Sequence, residues 1–191
     1  MAPGESSQVI GYEGVQKAKR WLERTGRVDV YWTVYEQPGQ LTVPVPSGLV
    51  RSFDLGGIIR GGDLNGDLLY AECKRVAAPG TQGAEYWEFL ANCYCMVSHD
   101  KDRRQQFMWI TWHPFNQTKW VDQVKQDEIR AAMGHHCEAW LGEGTPVDDD
   151  VCRIVAERLW VIVLSVKQED LVMSDEMFAE LRKQQVLATR P

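Results

Sequence analysis

Residues 68–76, with the sequence LLYAECKRV, restrict the possible folds of this chain more than any other segment. They have the composition of a buried β-strand, yet Glu72 and Lys74 stand two positions apart within it. Because successive side chains of a strand point to opposite faces, these two charges share one face, about 7 Å apart, and the other face is apolar as far as Cys73. Neither charge can be buried cheaply without a partner or a bound ion. The segment therefore predicts a strand with one face in the core and the other facing a cleft.

A second carboxylate is predicted to approach this cleft from the preceding strand, SFDLGGII at residues 52–59. The intervening RGGDLNGD contains the Asn-Gly pair of a hairpin turn, so Asp54 can come close to Glu72. Two neighbouring carboxylates repel each other unless one is protonated or a cation lies between them. Mg²⁺, or Mn²⁺ in its place, suits such a pair because hard divalent ions take oxygen ligands. With Lys74 beside them to orient water or stabilise negative charge, these groups have the chemistry of metal-assisted phosphodiester hydrolysis.

The rest of the chain predicts helices and strands around one mixed sheet. The predicted elements are a helix at 9–26, strands at 28–36, 52–59 and 68–76, a helix at 84–98, a strand at 107–112, and then a helix at 120–133, a strand at 159–166 and a helix at 174–185. The run LWVIVLSV at 159–166 is typical of a strand that is buried on both faces. This order predicts a three-layer α/β domain, and 191 residues suit a single domain spanning 1–191.

Composition limits the partners and the compartment. The formal net charge of -6 excludes attraction to nucleic acid over the whole surface, so any contact with DNA needs a local basic patch. Candidate patches, each of which a solvated helix face or loop would explain equally well, are Lys17, Lys19, Arg20, Arg24 and Arg27, and Lys101, Arg103 and Arg104. The five Cys match no disulfide framework, no apolar run is long enough to span a membrane, and the first residues lack a signal-peptide pattern. We therefore expect a cytoplasmic protein without a membrane partner.

Asp54, followed on the next strand by Glu72-Cys73-Lys74, resembles the motif of the PD-(D/E)xK nuclease superfamily, although Phe53 stands where Pro is usual. The resemblance implies a restriction-endonuclease-like αβββαβ core, here about residues 9–112, with C-terminal α, β and α additions at about 113–191. It also implies that Asp54 and Glu72 bind Mg²⁺ by their side chains and Cys73 by its carbonyl oxygen. Lys74 would assist the attacking water, and DNA would be the substrate, cut to leave 5′-phosphates.

Two further features resemble the RecB-type exonuclease branch of that superfamily. Glu13 in GYEG matches a Glu on the first helix, and Gln82 and Tyr86 in QGAEY match a Q-x-x-x-Y motif on the helix after the Lys. The resemblance implies that Glu13 reaches the metal directly or through water. It implies that Gln82 and Tyr86 support the Lys or touch the DNA backbone. The Cys residues do not match the arrangement of the iron–sulfur members of that branch.

Other interpretations stay open. The Glu72–Lys74 pair is also compatible with an ordinary surface ion pair, and the acidic total, eight Trp and C-terminal additions are compatible with an inactive nuclease-fold subunit that binds DNA or partner proteins. A structural zinc site is a weaker alternative, on His135, His136, Cys137 and Cys152. Size and charge lead us to expect a homodimer or a place in a larger DNA-processing or defence complex.

Overall fold

A computed structural model of the protein describes residues 3–75, 82–169 and 171–188; Val76, the last residue of the predicted third strand, lies outside these ranges. The strands are β1 (Val28–Thr33), β2 (Thr42–Val43), β3 (Arg51–Ser52), β4 (Leu55–Ile59), β5 (Leu68–Lys74), β6 (Gln105–Thr111) and β7 (Leu159–Val163). The helices are α1 (Pro3–Arg24), α2 (Gln82–His99), α3 (Gln126–Leu141), α4 (Asp149–Glu157), α5 (Val166–Glu169) and α6 (Asp175–Ala188). Short 3-10 helices cover Pro38–Leu41 and Gln117–Asp122.

Five strands form one mixed sheet in the order β1-β4-β5-β6-β7, and β2 pairs with β3 separately. The pairs β1–β4 and β4–β5 are antiparallel, whereas β5–β6 and β6–β7 are parallel. The connection between β4 and β5, residues 60–67, turns the chain back into an antiparallel hairpin, while the crossover through α2 returns the chain parallel to β5. The prediction of an α/β protein with a mixed sheet is therefore confirmed.

Helices pack against both faces of this sheet. On one face, Val15, Ala18 and Leu22 of α1 pack against the apolar side of β5 and β6. On the other face, α2, α3 and α4 enclose a larger core around Phe107 and Trp109 of β6. Glu72 and Lys74 alternate with Leu69, Ala71 and Cys73, so they lie on the α2 side of β5. None of the described helices has the length and apolar character needed to cross a membrane.

Two predicted strands differ from the observed ones. The segment 52–59 is divided, because Ser52 pairs with β2 while Phe53 and Asp54 form a bend before β4. The apolar segment beginning at Leu159 is not buried on both faces: β7 is the last strand in the sheet order, and Trp160 is 44% exposed. The strand that is buried throughout is β6, in which all seven residues are buried.

Two helices were not predicted, α4 and the short α5. No predicted element covers the acidic run 148–150, which caps and opens α4, because the Asp148 carboxylate accepts a 2.8 Å hydrogen bond from the Asp150 nitrogen. Acidic groups at a helix N-terminus satisfy free N–H groups and interact favourably with the helix dipole. The predicted ends of two other helices are confirmed: Gly26 follows α1 with φ +69°, and Ser174 Oγ accepts from the Met177 nitrogen before α6.

Candidate active site

The β4–β5 hairpin brings Asp54 to the end of β5. Leu55 pairs with Ala71, so continuing the antiparallel register places Asp54 opposite Glu72. The Asp54 nitrogen donates to the Ala71 carbonyl at 3.0 Å, and Asp54 Oδ2 accepts from the Cys73 nitrogen at 2.8 Å. The pairing of β4 with β5 ends at Leu55, and the Asp54 carboxylate there accepts the hydrogen bond that a main-chain carbonyl would accept in a longer strand. The bond from the Cys73 nitrogen holds this carboxylate beside Glu72 and Lys74.

Lys74 joins two carboxylates on the α2 side of the sheet. Its Nζ lies 2.9 Å from Glu72 Oε1 and 3.6 Å from Glu85 Oε2. The Glu72 side chain is 15% exposed and that of Lys74 is 24% exposed, so solvent reaches both only partly. The ammonium also lies 5.8 Å from the centroid of the Trp109 ring. The group is therefore half-buried, with part of each charged side chain still exposed to solvent.

The two neighbouring carboxylates are difficult to ionise together. Burial, and then the Asp54 charge, raise the pKa of Glu72 from 4.5 to about 8, although Lys74 opposes this shift. Burial also raises the pKa of Asp54 above its ordinary value, against the hydrogen bond from Cys73 and the charge of Lys74. One ammonium does not fully compensate two buried carboxylates, which is the electrostatic condition that favours binding of a further cation.

Lys74 itself is held in the charged form. Burial lowers the pKa of its amine, but the carboxylates of Glu72, Asp54 and Glu85 more than reverse this effect and leave the pKa above its ordinary value. An ammonium has three N–H donors and no lone pair. In this arrangement Lys74 can donate hydrogen bonds and stabilise negative charge, but it cannot accept a proton.

Glu13 lies close to the end of β5 but pairs with Arg75, whose guanidinium donates to its carboxylate. The adjacent Gly14 allows this approach: a Cβ at Gly14 would lie 2.8 Å from Arg75 Cβ. The Glu13 side chain is 51% exposed. The structure thus places Glu13 next to the strand that carries Glu72 and Lys74, with its carboxylate bound to Arg75.

Gln82 and Tyr86 are both buried, in the first two turns of α2. Gln82 Oε1 lies 2.7 Å from the hydroxyl of Thr111, which also lies 3.2 Å from the Lys74 carbonyl oxygen. The Tyr86 hydroxyl donates to the Gln123 carbonyl at 2.8 Å. Gln82 is thus joined to the Lys74 main chain through Thr111, and a side chain as buried as Tyr86 has no surface to present to a DNA backbone.

Glu85 is a member of the group that sequence reasoning missed. It lies in the first turn of α2, inside the same QGAEY segment that contains Gln82 and Tyr86. A carboxylate in that turn, directly after the E-x-K strand, was a usable signal. Its contact with Lys74 depends on how α2 docks against β5, which the local pattern does not specify.

The donor set fits a hard divalent cation. Asp54 and Glu72 supply carboxylate oxygens, whereas the neighbouring thiol of Cys73 is buried on the α1 side with its pKa raised by burial, so it is not a thiolate ligand. Within the described residues, no group of three or more His, Cys, Asp or Glu side chains is arranged to hold a metal. Mg²⁺ commonly uses one or two carboxylates and completes its shell with water and substrate phosphate. Two carboxylates are therefore sufficient for Mg²⁺ or Mn²⁺.

The mid-chain basic cluster lies at the opposite end of the strands. At the start of β5, the Arg104 carbonyl accepts a hydrogen bond from the Leu68 nitrogen. The Arg104 guanidinium forms an ion pair with Asp67 at 2.6 Å. Lys101 pairs with Asp148 and Asp150. These charges are compensated within the chain and are remote from Lys74, which ends β5.

The residues of the zinc alternative are dispersed. The rings of His135 and His136 are 4.7 Å apart on α3, whereas Cys152 is buried in α4 and the Cys137 thiol donates to the Thr145 carbonyl. His136 continues the aromatic contacts to Trp140, 4.7 Å away. The two histidines therefore pack against aromatic rings, and no described residues of this set are grouped to hold a metal ion.

No family model, curated protein or solved structure matches this chain at a significant level. The functional assignment therefore depends on the chemistry and geometry of the site.

Proposed function

We propose that this protein is a metal-dependent nuclease that hydrolyses DNA phosphodiester bonds. The observation that carries the proposal is the junction of Asp54 with Glu72 and Lys74, in which two half-buried carboxylates lie beside an ammonium that is 2.9 Å from one of them. Burial and mutual repulsion raise the pKa values of both carboxylates, so the group favours an added cation. Perturbed ionisable groups in a cleft are more frequent at functional sites than elsewhere.

The architecture supports a restriction-endonuclease-like core of the PD-(D/E)xK type. Helix α1 precedes three antiparallel strands, β1, β4 and β5, and α2 then leads to β6, which is parallel to β5. This is the order αβββαβ once the small β2–β3 pair is set aside as an insertion. Helices α3, α4 and α6, with β7, form the C-terminal additions.

Each residue of the site has a role in this proposal. Asp54 and Glu72, with the Cys73 carbonyl oxygen, would hold Mg²⁺ or Mn²⁺. When bound, such an ion neutralises phosphate charge and lowers the pKa of a coordinated water. The Lys74 ammonium donates hydrogen bonds to the attacking water or to a phosphate oxygen, where negative charge increases in the transition state.

The other predicted residues act by positioning. Gln82 contacts Thr111, whose hydroxyl also lies beside the Lys74 carbonyl, and Tyr86 anchors α2 to the carbonyl of Gln123. Glu13 holds Arg75, the residue directly after Lys74. Glu85 shares the charge of Lys74 with Glu72, so it keeps the ammonium beside the carboxylates.

The test is cleavage of linear, circular and single-stranded DNA by the purified protein, with Mg²⁺, with Mn²⁺ and with a chelator. We expect cleavage with either ion, no cleavage with the chelator, and a loss of at least about a hundredfold in Lys74→Ala, as for removal of one transition-state donor. Lys183→Ala on α6 is the matched control because Lys183 is exposed and pairs locally with Glu180. Cleavage that survives in Lys74→Ala, or no cleavage of any substrate, would overturn the proposal.

A second candidate is a nuclease-fold subunit that binds DNA or partner proteins without cutting, within a homodimer or a larger DNA-processing or defence complex. The ion pairs Lys74–Glu72 and Arg75–Glu13 favour it, because they compensate these charges inside the chain without an added ion. A stable partner that co-purifies with a protein lacking metal-dependent cleavage would support this candidate. Robust cleavage by the isolated chain would exclude it.

A further inference from the structure

A cavity of about 580 Å³ lies between the start of α2, the 3-10 helix Gln117–Asp122 and α3. Its walls include Trp87, Glu88, Asn116, Lys119, His135 and His136. This volume is within the range of pockets that hold small organic ligands. The walls combine aromatic rings and an amide with one ammonium and the carboxylates of Glu88 and Glu128, so the cavity suits a planar, polar ligand that offers hydrogen-bond donors as well as acceptors.

The aromatic wall is a fixed row of rings. The Trp87 and His135 ring centroids are 5.7 Å apart, and the contacts continue through His136 to Trp140. The Trp87 indole N–H donates to Glu128 Oε1 at 2.7 Å, which holds the plane of the indole. A fixed ring stacks with a planar ligand at little entropic cost, and every nucleobase has a face that can stack in this way.

The rim supplies the polar groups. Lys119 is exposed, and its ammonium makes no ion pair with any residue that the structure describes. Asn116 has a left-handed φ of 47°, and its amide lies 3.4 Å from the position of a Cβ at Gly83. The absence of a side chain at Gly83 thus keeps the cavity open beside an amide that can bond a base edge, while Lys119 can pair with phosphate.

The cavity and the candidate active site flank the same turn of α2. Gly83 and Ala84 line the cavity, and the next residue, Glu85, reaches Lys74 Nζ at 3.6 Å. A nucleic acid chain with one phosphate at Lys74 would therefore pass the turn of α2 that lines the cavity. Bases in a duplex are stacked and paired, so only an unpaired base can enter such a pocket.

We propose that this cavity binds the unpaired base of the nucleotide next to the scissile phosphodiester, so that the substrate is single-stranded nucleic acid or a duplex end with unpaired bases. This inference rests on the proposed nuclease function for the position of the scissile bond. Stacking on the Trp87 indole holds the base, with His135 at the edge of that ring, and Lys119 holds the adjoining phosphate.

The test measures binding without metal, in a chelator, so that no cleavage is needed for the readout. Fluorescence anisotropy compares a short single-stranded DNA with a blunt duplex of the same sequence, for the wild type and for Trp87→Leu and Lys119→Ala. The matched controls are Trp160→Leu, a partly exposed indole at the β7 edge, and Lys183→Ala on α6. Circular dichroism establishes that each variant is folded.

We expect the wild type to prefer the single strand, Trp87→Leu to bind it about tenfold more weakly, and Lys119→Ala also to bind it more weakly with a smaller salt dependence. The two controls should bind like the wild type. Equal affinity for duplex and single strand, or no loss in either cavity variant, would overturn the inference. Because Lys119 is exposed, its variant keeps the test decisive if Trp87→Leu does not fold. Single-strand binding at Trp87 without any metal-dependent cleavage would instead overturn the nuclease proposal alone.

Discussion

The amide nitrogen of Cys73 lies 2.8 Å from Oδ2 of Asp54, so the carboxylate that would bind a cation also closes the hairpin between β4 and β5. Structural and chemical roles therefore meet in one side chain. They can be separated by a substitution that keeps the acceptor oxygen and removes the charge.

Asp54→Asn should remain folded and lose cleavage. An amide oxygen can accept the Cys73 hydrogen bond, but it is a weaker ligand for a divalent cation and carries no charge. Asp54→Ala should lose cleavage and also about 1–3 kcal/mol of unfolding free energy, because the Cys73 nitrogen loses its partner. Urea denaturation and a cleavage assay distinguish the two variants. An active Asp54→Asn protein would contradict the ligand role, and equal stability of both variants would contradict the structural one.

The raised pKa of Glu72 predicts a stability that falls as pH rises. Between the ordinary value of 4.5 and the native value of about 8, the native state binds a proton at Glu72 that the unfolded state has released. The unfolding free energy must therefore decrease with rising pH across that window, by a few kcal/mol in total at most, at about 1.4 kcal/mol per pH unit. Urea denaturation in a chelator should show a steeper fall with pH in the wild type than in Glu72→Gln, in which only the raised pKa of Asp54 remains. The prediction would be contradicted if the difference in unfolding free energy between the wild type and Glu72→Gln stayed constant from pH 5 to 8, or changed with the opposite sign.

Mg²⁺ should stabilise the wild type against heat. Binding to the native state alone adds RT ln(1 + [L]/Kd), about 3 kcal/mol at a hundredfold excess of ligand over Kd. The rise in Tm should grow from pH 6 to pH 8, because metal competes with the proton on Glu72. Thermal scans of Glu72→Gln and Asp54→Asn should show no comparable rise, whereas Lys183→Ala should respond as the wild type does. The same increase in Tm for all four proteins would place the ion elsewhere.

Two glycines of α1 provide a matched pair of substitutions. A Cβ at Gly14 would lie 2.8 Å from Arg75 Cβ, and that atom cannot move without moving the Arg75 backbone. A Cβ at Gly11 would lie 3.5 Å from the Tyr35 hydroxyl, which is an ordinary van der Waals contact. Gly14→Ala should therefore destabilise the protein by about 1–3 kcal/mol, and Gly11→Ala should stabilise it by up to about 1 kcal/mol through helix propensity. Chemical denaturation measures both changes. If Gly14→Ala were as stable as Gly11→Ala, the close approach of α1 to β5 would be wrong.

Local patterns were sufficient for the centre of the fold and for part of the site. Alternation along β5 separated Glu72 from the apolar face, and the Asn-Gly turn established the hairpin that brings Asp54 to it. Both features depend on neighbours in sequence. Helix boundaries marked by Gly26 and Ser174 were likewise predictable from capping chemistry.

Long-range packing accounts for what the patterns missed. The partner of Glu13 is Arg75, 62 residues away, and no periodicity encodes that pair. The contact of Glu85 with Lys74 depends on the docking of α2. The apolar run at β7 was compatible with either a central or an edge strand, and its place was decided by the order in which strands join the sheet. Tyr86 matched a motif, but its burial followed from packing against Trp109 and Phe115.

The hydroxyl of Thr111 lies within 3.2 Å of the Lys74 carbonyl, the Gln82 side chain and the main chain of His113. This hydroxyl thus lies where the end of β5, the beginning of α2 and the exit from β6 meet. A displacement of α2 at Gln82 would therefore alter the packing around this hydroxyl, which also lies 3.2 Å from the Lys74 carbonyl. In the proposals made above, the cavity and the reacting groups therefore share one structural contact, the hydroxyl of Thr111.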